Sequence, residues 1–72
     1  MKIEIIYVYM PKEGTDVWRP VKAQHISGDM YTILEAAPAD EVWEFEQGQT
    51  VRCRLKALSG SEHLVAFEKI NG

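Results

Sequence analysis

Thr50-Val51-Arg52-Cys53-Arg54-Leu55-Lys56-Ala57-Leu58 alternates apolar and basic side chains with a period of two. In an extended chain successive side chains point to opposite faces. Val51, Cys53, Leu55 and Ala57 therefore share one face, and Arg52, Arg54 and Lys56 share the other. The stretch is flanked by Gln47-Gly48-Gln49 and by Ser59-Gly60-Ser61, each with a glycine at its centre. A strand between two such reversals is the repeating unit of an antiparallel all-β domain.

Working outward, the same punctuation recurs. Strands are predicted over 2–10, 17–26, 30–36, 42–46, 50–58 and 62–70. Pro11 to Asp16 forms a loop, Ser27-Gly28-Asp29 a turn, and Ala37-Pro38-Ala39-Asp40 a break. If each glycine-centred reversal is a three-residue loop with glycine in the left-handed region, register follows. Phe45 pairs with Val51 and Trp43 with Cys53. Leu55 pairs with Val65, Cys53 with Phe67, and Ala23 with Ile33. A two-residue loop would set Phe45 against Thr50 and mix the faces. On the outer face, Glu44, Arg52 and Glu68 then form a row of charges, weak in energy but useful for register. The expected core is Ile3, Ile5, Tyr7, Val21, Ala23, Ile33, Trp43, Phe45, Val51, Cys53, Leu55, Val65 and Phe67. The fold class is all-β, a small barrel of five to six short antiparallel strands in one domain spanning 1–72.

Composition narrows the function classes. The chain has 72 residues, 46% hydrophobic and 26% charged, with a formal net charge of −3. A domain of this size has a thin core, and enclosing a cofactor would consume much of it. No cofactor and no enzymatic activity are expected. The acidic balance disfavours a nucleic-acid binder as a class, because phosphate neutralisation supplies most of such affinity. No apolar run approaches the ~20 residues of a spanning helix. Met1-Lys2-Ile3-Glu4 places an acid where a signal peptide would continue its apolar stretch. Cys53 is the single cysteine and excludes an internal disulfide. These points imply a cytoplasmic protein without membrane contact.

Two segments carry a resemblance. Val17-Trp18-Arg19-Pro20-Val21-Lys22-Ala23 resembles the second strand of Tudor-type SH3-like barrels, and Gly48-Gln49-Thr50-Val51 resembles the Gly-x-x-Val entry to a later strand. The whole chain resembles a group of short bacterial single-domain proteins with no assigned activity. That likeness rests on Asp16-Val17-Trp18-Arg19-Pro20-Val21, Trp43-Glu44-Phe45 and Leu58-Ser59-Gly60. It implies an SH3-like barrel and transfers no site residues.

Several residue sets are candidates for chemistry. Trp18, Tyr9 and Tyr31 are left over from the core and could present exposed rings, as in a cage for a cation. His25, His63 and Cys53 match no structural zinc spacing, so no metal site is expected. Asp40, Glu41, Glu44 and Glu46 lie on a loop and an outer face, where acids are solvated rather than catalytic. The second apolar face of the first three strands is the more informative feature. Trp18, Ile26, Met30 and Leu34 share one parity, and Ile6, Val8 and Met10 lie opposite the expected core face of the first strand. Such a face needs a cover: either it is a protein contact, as exposed apolar patches often are, or the first strand packs across both sides of a strongly bent sheet or has a different parity in its twisted ends. The expected function is a non-enzymatic protein-interaction module, self-associating as a homodimer through Trp18, Ile26, Met30, Leu34, Ile6 and Val8. The alternative is a nucleic-acid-binding barrel using Arg52, Arg54 and Lys56.

Overall fold

The computed structural model describes residues 2–70. It contains β1 (Lys2–Tyr9), β2 (Trp18–Ser27), β3 (Met30–Ile33), β4 (Thr50–Leu58) and β5 (Ser61–Lys69). They form one closed barrel in the order β1-β2-β3-β4-β5, an all-β fold consistent with a small SH3-like barrel. Four pairings are antiparallel, and the barrel is shut by a parallel contact of β1 with β5 at Tyr7 and Val65.

The turns are tighter than three residues, and bulges offset the difference. Ser59 and Gly60 both have positive φ, 52° and 85°, so Leu58 pairs with Ser61 across a two-residue hairpin. Leu55 consequently faces Leu64 and Cys53 faces Ala66, one residue away from the expected partners. A bulge at Arg52/Cys53 then shifts the register, and Arg52 faces Glu68 as expected. In the β2–β3 hairpin the bulge lies beside the turn, between His25 and Ser27, so Ala23 meets Ile33 as the sequence predicts.

The expected strand over 42–46 is absent. Both edges of β4 are taken, by β3 and β5, and Tyr31 occupies the place beside Val51 expected for Phe45. The segment runs outside the sheet instead, anchored by a 2.9 Å hydrogen bond from the Glu44 amide to the Tyr9 carbonyl. Trp43 and Phe45 are still buried, as plugs rather than as strand residues. Trp43 satisfies its indole by donating to Glu41 Oε1 at 2.9 Å. Met30 to Ile33 is the whole of β3; residues 34–36 leave the sheet.

The central cluster joins Ile6, Val8, Met10, Val21, Ala23, Tyr31, Ile33, Trp43, Phe45, Val51, Cys53 and Ala66. This reverses the expected parity of β1. Ile6 and Val8 are fully enclosed, whereas Ile3 and Ile5 are 45% and 50% exposed. Every residue from Ile3 to Met10 except Glu4 carries a large apolar or aromatic body, so alternation gave no sign of which set faces inward. The match to β2 decides it: Ile6 lies opposite Val21, an inward residue, and Ile5 lies opposite Lys22. Tyr7, Leu55 and Phe67 also leave the expected core. Tyr7 lies on the outer parity of β1, Leu55 is 60% exposed opposite Leu64 in the β4–β5 ladder, and Phe67 is turned outward at the bulge.

Candidate functional site

Two outer surfaces gather the side chains that folding leaves unused. The first is the outside of β1, β2 and β3. Alternation on β2 sends Val21 and Ala23 inward and Lys22, Gln24 and Ile26 outward. On β3, Tyr31 and Ile33 point inward and Met30 and Thr32 outward. Register brings Ile5 opposite Lys22, whose carbonyl accepts the Leu34 amide at 3.0 Å, so Ile5 and Leu34 flank the Lys22 stem. Ile3 lies one step along, opposite Gln24. Of the expected contact residues, Ile26 and Leu34 are exposed and Met30 is half-buried on this side. Ile6 and Val8 are not on it, for they belong to the central cluster. Ile3 and Ile5 take their places, because the whole parity of β1 is reversed.

Trp18 also leaves this group. It packs against Tyr9, its partner across the β1–β2 ladder, with ring centroids 5.2 Å apart. Both rings border the second surface, a cleft whose walls are the loop ending at Val17 and the β4–β5 hairpin. Two adjoining depressions of about 640 and 320 Å³ share Asp16, Trp18 and Lys56. The larger is bordered by Tyr7 and His63, whose rings lie 4.7 Å apart. The smaller is bordered by Tyr9, Arg54 and Phe67. Val65 is buried beneath it and stands apart from the central cluster, on the face of β5 opposite to the inward Ala66.

The basic strip of β4 divides along its length. Arg52 is neutralised, with Nε 3.0 Å from Asp29 and Nη1 3.2 Å from Glu68. The hydrogen bond to Asp29 is the main reason its guanidinium is held above its ordinary pKa. Glu44 does not join that row; it borders the cleft near Tyr9. Arg54 and Lys56 have no acidic partner among the described ion pairs. The Arg54 guanidinium instead lies 4.8 Å from the centroid of the Phe67 ring, with Arg52 at 5.4 Å. Phe67 occupies this position because the bulge places it between Ala66, paired to Cys53, and Glu68, paired to Arg52.

The remaining candidates are dispersed. Tyr31 is buried, so of the three rings left over from the core only Tyr9 and Trp18 come together. Burial raises the Tyr31 hydroxyl above its usual range. Burial, with a smaller contribution from Asp29, pushes the Cys53 thiol up to about 12 and leaves it a poor nucleophile. His25 contacts the Gly28 carbonyl at 2.9 Å and His63 borders the cleft. Among the described residues no three His, Cys, Asp or Glu side chains gather to hold a metal ion. Glu41 serves Trp43 and also lies 3.4 Å from Arg19, a structural use rather than a pairing with Glu44. No helix among the described residues is long and apolar enough to cross a membrane.

The sequence identified Trp18, Arg54 and Lys56 but did not join them. The parity of β1 read from the sequence puts Tyr7 in the core, and a register that the bulge interrupts does the same for Phe67. Asp16 lies in a loop whose path no periodicity predicts. Compared with protein-family models, curated proteins and solved structures, the chain has no match.

Proposed function

We propose that the protein is a non-enzymatic protein-interaction module that associates with a second copy of itself through the outer face of β1–β3. The observation that supports this is the clustering of Ile3, Ile5, Ile26 and Leu34 there. Four of the six exposed large aliphatic residues among the described residues lie on or beside one sheet face. A second copy suits the face because it carries both signs of charge: Lys22 on it, and Glu35, which accepts the Lys22 amide, at its edge. A two-fold arrangement presents each sign to its opposite. The lone buried thiol suits a cytoplasmic setting, where it stays reduced.

The expected association is weak. Covering four half-exposed side chains on each copy is worth about 10 kcal/mol of apolar burial. Loss of rotational and translational freedom takes back at least about 4 kcal/mol, and immobilised side chains add to that cost. The dissociation constant then falls between roughly micromolar and millimolar. Sedimentation equilibrium from about 10 μM to about 1 mM should show a concentration-dependent dimer, and Ile5→Lys should remain monomeric throughout. A natural-sequence chain that stays monomeric at the top of that range overturns the reading.

A further inference from the structure

We infer that the cleft between the Val17 loop and the β4–β5 hairpin binds a short segment of single-stranded nucleic acid, with phosphates along β4 and bases against the rings. The inference does not depend on self-association, which uses the Ile3 and Ile5 end of β1 rather than the Tyr7 and Tyr9 end.

The argument begins with what folding does not require. Phe67 is a large aromatic residue in the middle of a strand, yet the bulge turns it away from the central cluster. It carries the guanidinium of Arg54 on its ring instead. Tyr7, Tyr9 and Trp18 border the same cleft, also outside the central cluster. Four rings beside one groove form stacking platforms, which attract any base because every base has a π-face. A guanidinium plane resting on a ring extends that platform and adds charge.

Charge selects the ligand. Arg54 and Lys56 are the two members of the β4 strip without an acidic partner among the described residues, and both border the cleft. They project from the same face of β4, two residues apart, so they are about 7 Å from each other. That is close to the spacing of successive phosphates in an extended strand. Asp16 and Glu44 also border the cleft, and Asp16 is held 3.4 Å from the Tyr9 hydroxyl. These carboxylates belong to the loop side, so they confine phosphate to β4 and leave the rings to the bases. A duplex is unsuitable because its base faces are stacked internally.

With only two phosphates neutralised, most of the affinity comes from stacking. The slope of log affinity against log salt should be about −1.4, far shallower than for a basic protein making many contacts. The reaction to follow is the fluorescence anisotropy of labelled ten-nucleotide oligothymidylate and oligouridylate titrated with the full chain. Trp18→Leu should weaken binding about tenfold or more. Lys56→Gln should reduce the salt slope by about 0.7. Lys56 is exposed, so its variant retains the fold even if Trp18→Leu is less stable. Three outcomes overturn the inference: no binding at about 20 mM salt, equal affinity for the matching duplex, or equal affinity for polyglutamate of similar length. The last would assign the cleft to an acidic polypeptide.

Discussion

Cys53 is a case where position removes reactivity. It faces the barrel interior between Val51 and Leu55, and burial disfavours its thiolate. The unfolded chain would release the proton near its ordinary value, and the folded chain only near 12. Folding therefore gains a full contribution from the neutral thiol below the unfolded value. That contribution is lost as pH rises toward the folded value, by about 1.4 kcal/mol per pH unit at most. Denaturant melts between about pH 9 and 12 should show this decline, and Cys53→Ala should flatten part of it. The buried Tyr31 hydroxyl, also raised, contributes a further decline at the alkaline end. Equal slopes in the two proteins would show that the thiol is not enclosed. Arg52 and Arg54 illustrate the opposite case, two cations of one strand given different roles by their neighbours. Asp29 and Glu68 hold the first, while Phe67 leaves the charge of the second available.

At the scale of the element, the turns decide register and the bulges correct it. Gly48 and Gly60 have φ of 86° and 85°, in the left-handed region, and an added Cβ at either would meet nothing within 4 Å. Replacement is therefore strained by backbone conformation alone. Gly60→Ala and Gly48→Ala should each lower stability by about 1 kcal/mol, and Gly48→Asn by less, as read from urea midpoints. Unchanged midpoints would mean that the turns relax freely. The sequence made the turns legible because glycine has a known conformational use. The alternation of β4 at Val51 and Cys53 was legible for the same reason that it is regular. The bulges were not, since nothing in Ala66-Phe67-Glu68 or His25-Ile26-Ser27 announces an extra residue. β1 was illegible for a different reason. Ile3, Ile5 and Tyr7 compete with Ile6, Val8 and Met10 on equal terms, and only the pairing with Val21 distinguishes them. The cleft inherits both gaps: it needs Tyr7 outside and Phe67 turned, and each depends on a contact far away in the chain.

For the whole molecule, closure is uneven. β1 and β2 pair along eight residues, and β4 pairs with β5 along nearly all of its length. The meander and the hairpin meet through a short β3–β4 ladder and through the parallel contact at Tyr7 and Val65. Trp43 and Phe45 are buried in the cluster that joins residues of both parts and help hold them together. Amide exchange should reflect this arrangement. Those β1 and β5 amides that point toward each other should exchange well ahead of amides inside the β4–β5 ladder. Equal protection in both places would mean that the barrel opens only as a unit.

The residues that meet at that closing contact stand nearly the whole chain apart, so joining them carries the largest entropic penalty of any pairing in the sheet. Its formation belongs at the end of folding, after the two antiparallel ribbons exist. Until then the floor beneath Tyr7 and Tyr9 has no opposite wall. The groove that would receive a ligand is thus the youngest part of the molecule on each folding passage, and a bound strand spanning it would slow reopening more than any change within either ribbon.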